Sequence, residues 1–544
     1  DKGPASYEAP AGRLDGEILS KWQFKIQNGE LVYAFESDTK IDDDILKKEL
    51  GTNSDVKLKN IVRTIQKEQN AIIRNTKDQI LVIQGAAGSG KTSIALHRIA
   101  YLLYHERDTL KSSNILILSP NSVFADYISH ILPELGEENI REMSFDLYAY
   151  KELRKGVAAD CEDRYDQLER RMKFPDESAQ NRFDWKQSKD FIGEIEGFLA
   201  ILEDRLMEFK EIEFRGMTLT EEDLIQLFYY KFTETPLLKR MDAVKDYFID
   251  SWETLKGRNI SEDDQEMLQM KFDKMYTTKD IYTIYNWMLD DCDLLPEVPY
   301  EKRKLPYEDV FPMLYLKYRL SGGNSTHKNI KHLVIDEMQD YTYLQYTILE
   351  SLFHCRMTIL GDRAQTLDTK QQDVLRFLPK LLGREIRTIE IKKSYRNTLE
   401  IARYAEKVSG VSDLELLDRH GKEVVEKTFN TDTELLDELV CHLKCPGDFE
   451  TAALITTTEE EAFDLSRLLK LRGINVSYVD RNSSAFKKGL TVTTFYLAKG
   501  LEFDQVFALR GAKENPLKNQ AEYICATRAL HELYVYEIAD SLAK

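Results

Sequence analysis

The chain has 544 residues, of which 42% are hydrophobic, 31% charged and 10% aromatic, with a formal net charge of −19. That length exceeds one core and sets an expectation of roughly two to four domains. No apolar run is long enough to cross a bilayer, and the acidic balance argues against a protein living by non-specific phosphate contact, which Lys and Arg drive.

The chain opens on Asp1 rather than Met, which predicts a fragment or processed form. Its six cysteines carry no spaced pairing pattern, in keeping with reduced thiols in a cytoplasmic protein. Cys441 and Cys445 flank His442 in CHLKC, but a structural zinc site needs more ligands and no second cluster follows.

In chain order, residues 1–55 read as β-rich. ILSKWQFKI and LVYAFES alternate around Asn28-Gly29, a pair that tolerates positive φ and marks a hairpin. The stretch KLKNIVRTIQKEQNAIIRN then sets Leu58, Ile61, Val62, Ile65, Ile72 and Ile73 at helical spacing. ILVIQ and NILILSP read as buried strands of a parallel sheet.

Residues 151–325 change character: helical, aromatic-rich and net acidic by roughly ten charges. Thr220 in TEED and Ser261 in SEDD each place a capping oxygen before an apolar-periodic run. The aromatics at helical spacing, such as Phe228, Phe248, Trp252 and Tyr285, read as core. After Lys331 the α/β pattern returns. HLVIDE, MTILGD, TAALITT, GLTVTTF and DQVFALR read as short buried strands, and the pattern occurs once on each side of about residue 385.

Three of the strand ends carry chemistry. GAAGSGKT, comprising Gly85, Ala86, Ala87, Gly88, Ser89, Gly90, Lys91 and Thr92 and followed by Ser93, is a complete P-loop between a strand and a helix. Its glycines let backbone N–H groups turn toward phosphate oxygens, Lys91 places a charge at the β/γ-phosphates, and Thr92 offers a hydroxyl to Mg²⁺. The cofactors expected are ATP and Mg²⁺. In VIDEMQD, Asp336 fits metal positioning and Glu337 water activation. In ILGDRAQ, Gln365 fits sensing of the γ-phosphate or orientation of the water.

With these in order, the chain resembles superfamily 1 helicases of the UvrD type. The resemblance implies that Gln69 in TIQKEQN reads adenine and that LSPN, Leu118 to Asn121, lies where nucleic acid is touched. In KKSYRN it implies that Tyr395 stacks on the base and Arg396 reaches the γ-phosphate; in TTFYLAKGLEFD, that Gly500 and Glu502 lie near the nucleotide; in YICATRA, a second arginine, Arg528. Arginines that arrive on a second unit would make hydrolysis depend on closure of two domains.

Three departures qualify this resemblance. The third motif continues as TLDTKQQDVLRF, without the strand-stacking aromatic of the family. The stretch 396–491 leaves no room for the usual accessory domain. The insertion before VIDE is enlarged to roughly 175 residues, far beyond an ordinary connection. Together with the opening YEAPAGRLDGEILSKWQFKIQNGELVYAFESDTKIDDDILKKELG, these features resemble the HelD branch, helicase IV-like proteins associated with bacterial RNA polymerase. That resemblance implies a monomer that binds RNA polymerase, opens its clamp with the insertion and recycles stalled complexes with ATP. It also implies single-stranded DNA or RNA as a further contact, and a coiled-coil arm preceding Asp1.

The expectation is therefore an α/β protein with two RecA-like P-loop domains. Residues 1–55 form the β-rich segment, 56–150 and 326–385 the first domain, 151–325 its helical insertion and 386–544 the second domain. Two other readings stay open: a 3′–5′ DNA helicase of repair, and an ATP-switched clamp with negligible turnover.

Overall fold

The computed structural model describes residues 3–9, 12–27, 30–36, 56–120, 140–294, 302–323, 329–368, 374–383, 385–410, 415–444, 449–481, 483, 488–510 and 516–539. Strands β1 (Gly3–Ala9) and β2 (Gly12–Ile18) pair antiparallel, as do β3 (Trp22–Gln27) and β4 (Glu30–Glu36). The Asn28-Gly29 turn lies outside the described residues. Helix α1 (Val56–Ile73) follows the expected periodic run.

The first sheet is wholly parallel. It is built from β5 (Ile80–Gly85), β6 (Ile115–Leu118), β7 (Arg141–Met143), β8 (His332–Ile335), β9 (Arg356–Gly361) and β10 (Ile386–Ile391), in the spatial order β10-β5-β9-β8-β6-β7. Strand β10 lies beyond the expected domain limit at 385. Its IRTIEI exposes Arg387, Thr388 and Glu390 and fully buries Ile391 alone, as an edge strand can, and it pairs with β5 from Ile386 against Ile80 to Ile391 against Gly85, so the first unit runs on to 391.

Side chains alternate along these strands and divide the core in two. Leu81, Ile83, Ile115, Ile117, Val334 and Leu360 face α1 and α2 (Lys91–His105). Ile80, Val82, Leu116, Leu118, Leu333, Ile335 and Ile359 face the opposite way, into a cluster shared by the insertion and by the first unit's helices Tyr343–Leu352 and Val374–Leu382. There α3 (Phe145–Val157), which begins in the first domain and runs on into the insertion, and the helix Tyr307–Ser321 supply Phe145, Leu153, Phe311 and Leu314, continuous with Phe228, Phe248, Trp252 and Tyr285 further out. The insertion thus contributes to one covering layer of the first sheet rather than standing apart from it. Both expected caps are present: Thr220 makes a reciprocal box with Asp223, and Ser261 accepts from Asp264 N. The aromatics divide. Phe228, Trp252 and Tyr285 are buried, whereas Tyr230 and Tyr247 are exposed.

The second sheet is parallel as well, with β11 (Val425–Phe429), β12 (Thr451–Thr456), β13 (Ser477–Tyr478), β14 (Gly489–Thr494), β15 (Phe503–Arg510) and β16 (Ala529–Ile538) in the order β11-β16-β15-β12-β14-β13. Between 396 and 491 the described residues form helices and strands of this unit. One face takes helices Asp432–Lys444 and Glu459–Leu471. The other takes helices Leu399–Ser409 and Lys518–Arg528. Two further side chains on that face, Leu168 and Met172, come from the insertion's helix α4 (Arg164–Lys173), which reaches across to the second unit. Among the described residues no helix is long and apolar enough to cross a membrane.

Candidate active site

In open parallel sheets the carboxyl ends of the strands form the crevice where ligands bind. Here the ends of β5, β8, β9 and β10 bring the expected residues together. Beyond Gly85 the chain turns through Gly88 and Gly90, whose φ values of +72° and +80° suit glycine alone. A Cβ on Gly90 would lie 2.2 Å from the Tyr395 hydroxyl, and one on Gly88 would lie 2.7 Å from Asn397 Oδ1. The loop is pinned from within by Ser89 Oγ, which donates to Ala86 O at 2.8 Å. Lys91 Nζ donates to Gly85 O and Ala86 O, each at 2.8 Å. Burial lowers the Lys91 pKa, while Asp362, Glu337 and Asp336 pull the other way. Thr92 and Ser93 follow, half-buried in the first turn of α2.

Beyond β8 stand the two carboxylates. Asp336 is fixed by its own N–H, which donates to Leu118 O at 2.9 Å. Burial, with the neighbouring Glu337 second, pushes the Asp336 carboxyl up to about 8. Glu337 sits in the left-handed region at φ +53°, uncommon for a residue with a long side chain. Its Oε2 accepts from Gln339 Nε2 at 2.5 Å and lies 3.7 Å from Lys499 Nζ. Gln365, beyond β9, is buried and donates through Nε2 to Asp362 Oδ2 at 2.9 Å.

The second unit meets this edge directly. Ser394 Oγ donates to Ala87 O at 3.0 Å, and Tyr395 N donates to Gly88 O at 3.3 Å. Tyr395 is buried, and its hydroxyl accepts from Gln69 Nε2 at 3.3 Å, so the two residues expected beside the base are in contact. Arg396 pairs with Glu502, and Gly500 has φ +80°. Arg528 donates from Nη2 to Gln365 Oε1 and from Nη1 to Leu501 O, both at 3.1 Å.

The residues expected around the nucleotide therefore gather along the line where the two units meet. Asn121 of LSPN falls outside the described residues. Sequence reasoning missed Gln339, Asp340, Asp362, Lys499 and Tyr523. Asp362 accepts from Tyr523 OH at 3.1 Å across the seam. Lys499 Nζ donates to Asp340 Oδ2 at 2.8 Å and Gln365 O at 2.7 Å. All five stand inside strings already singled out, four of them within three residues of a named group and Tyr523 five residues before Arg528, and that proximity was the available signal.

The site fits a magnesium nucleotide. Its glycine turns leave a cradle that a Cβ would fill, and its paired carboxylates suit a divalent cation. Arg528 Nε is buried with no acceptor among the described residues, as an anion-facing guanidinium would be.

Residues 65–367, more than half of the chain, match the family of the UvrD/REP helicase N-terminal domain. Among solved structures, the C-terminal domain of a possible DNA helicase from Lactobacillus plantarum WCFS1 is 26% identical, over 27% of this chain and 88% of that one, with a TM-score of 0.22. No curated protein matches the chain.

Proposed function

Because the chain belongs to the UvrD/REP helicase family, we propose that it is an ATP-hydrolysing motor in which two parallel-sheet units clasp Mg-ATP at their seam. The P-loop amides and Lys91 hold the β- and γ-phosphates, and Gln69 and Tyr395 hold the base. Thr92 and Asp336 hold Mg²⁺, which when bound screens phosphate charge. Glu337 orients and deprotonates the attacking water, with Gln365 beside it. Arg396 and Arg528 neutralise charge that develops on the transferred phosphoryl group.

The observation that carries this reading is the bond from Arg528, on the second unit, to Gln365, on the first. Catalytic groups from both units converge only when the seam is closed, so turnover and domain motion are one event. Glu337→Gln tests it: nucleotide binding persists and hydrolysis stops. Turnover by that variant at the parental rate removes Glu337 from its role.

The work done by the motor is remodelling of bacterial transcription complexes, through HelD-like binding to RNA polymerase. Support comes from helix α4, which covers the residues following the third motif. Leu168 shares a core cluster with Leu367, and Arg171 Nη2 lies 3.2 Å from Asp368 Oδ1. A single strand finds that surface occupied, so ATPase stimulation by single-stranded DNA is weak. A pull-down of core RNA polymerase, with and without ATP, tests this; retention in neither condition rejects it. The family match itself favours the second reading, a DNA-translocating helicase. That reading requires many-fold stimulation by single-stranded DNA and displacement of an annealed strand.

A further inference from the structure

A chain of buried charge leads from the insertion to the hydrolytic carboxylate. Asp340 is almost fully buried, and its Oδ2 stands 3.2 Å from Arg164 Nη2 and 2.8 Å from Lys499 Nζ. Lys499, equally buried, lies 3.7 Å on its other side from Glu337 Oε2. Arg164 is anchored from behind by Asp146, whose Oδ2 is 3.9 Å away and whose Oδ1 accepts from Tyr307 OH at 2.8 Å. Cations and carboxylates thus alternate: Arg164, Asp340, Lys499, Glu337.

From this arrangement we infer that Arg164 is a positioning residue for hydrolysis, acting through Asp340 and Lys499 on Glu337, so that the seating of the inserted helix α4 is read at the ATP site. The inference rests on the role proposed above for Glu337. Lys499 is shared between two carboxylates. With Arg164 in place, Asp340 has two cationic partners and leaves Lys499 close to Glu337. Without Arg164, Asp340 keeps the Leu367 N–H and has Lys499 as its one cation, which it draws closer, because a buried carboxylate binds its remaining cation more tightly. Glu337 then loses the charge that orients it.

Helix α4 is placed to transmit motion. Arg164 is its first residue, and the turns that follow engage the second unit. Tyr165 stacks on Tyr496 with ring centres 4.8 Å apart. The Tyr496 hydroxyl donates to Glu169 at 2.6 Å, and Arg481 pairs with Asp166 at 2.7 Å. Tyr496 and Lys499 belong to the same loop after β14. A shift of the insertion that unseats α4 therefore disturbs Arg164–Asp340 and the Lys499 loop together.

The test is steady-state ATPase of the full chain carrying Arg164→Gln. Loss of an outer partner of a catalytic group typically costs about 10–100-fold in activity, and kcat is expected to fall by that much with the KM for ATP unchanged. Arg164→Lys, which keeps the cation, is expected to retain more turnover than Arg164→Gln. The double variant Arg164→Gln/Asp340→Asn is expected to fall no further than the worse single variant, as members of one network do. Arg164→Gln turnover within two-fold of the parent, or a double variant whose losses multiply, overturns the inference. Should Arg164→Gln not fold, Asp340→Asn decides alone by the same two-fold criterion. Glu337→Gln in parallel separates the two readings. If it hydrolyses ATP normally, the proposed site fails; if it is dead while Arg164→Gln is normal, only the coupling through α4 fails.

Discussion

Arg528 Nη2 and Gln365 Oε1 are 3.1 Å apart, and the hydrogen bond between them joins the last helix of the second unit to the end of a first-sheet strand. Neither side chain reaches the other unless the two units meet. Removing the guanidinium should therefore damage the chemical step far more than nucleotide capture. Arg528→Ala is expected to lower kcat by about 10³-fold or more. Fluorescent-nucleotide titration should show affinity within a few-fold of the parent, and Arg528→Lys should recover little, since a point charge cannot reproduce the planar fork.

Gly90 offers a steric test of the same seam. Alanine there combines a φ of +80° with a methyl 2.2 Å from the Tyr395 hydroxyl. Gly90→Ala should weaken ATP binding by about ten-fold or more, as about 1.4 kcal/mol of strain and clash would require. Tyr395→Phe in the same chain removes the oxygen and should restore part of the affinity; equilibrium dialysis reads both.

Lys186 is nearly fully buried in the insertion, with its Nζ 2.7 Å from Glu308 Oε1 and 2.7 Å from Asp309 Oδ1. Tyr285 OH also donates to Asp309, at 2.5 Å. Lys186→Met leaves Asp309 buried without its ammonium and Glu308 with Arg182 alone, a loss of about 3–5 kcal/mol. Thermal unfolding should show a lower midpoint. Lys186→Met/Asp309→Asn should recover much of it, because the Asp309 charge goes with its ammonium while Glu308 keeps Arg182, whose Nε is 2.8 Å from Glu308 Oε1.

His332 sets an acid limit. Burial, with Arg98 and Arg356 nearby, lowers its pKa to about 3 from an ordinary 6.5. The folded state thus binds fewer protons than the unfolded chain. The stability this neutral ring carries is complete above about pH 6.5 and is lost as pH falls toward 3. His332→Asn, which can still meet Thr358 Oγ1, now 2.9 Å from the ring, should flatten the decline between pH 6.5 and 4 in chemical denaturation.

The buried strands were legible because parallel strands covered on both faces leave unbroken apolar runs such as ILVIQ and HLVI. The phosphate loop was legible because its glycines answer to backbone geometry that no other residue meets. Two features escaped. The edge strand Ile386–Ile391 alternates weakly, and only its pairing with β5 reveals which unit it joins. Lys499 and Asp340 look like surface charges in the sequence, and only the meeting of loops 159 residues apart makes them a buried pair. Such contacts depend on how two units dock, which no local periodicity encodes.

The insertion's apolar residues share one continuous cluster with the underside of β5, β6, β8 and β9 and with the first unit's helices Tyr343–Leu352 and Val374–Leu382. An engineer therefore cannot excise residues 151–325 as a detachable cassette. Deletion would break α3 after Tyr150 and remove Leu153, Phe311 and Leu314 from the cluster around Leu116 and Leu333, and the apolar surface so opened would favour aggregation over a working minimal motor.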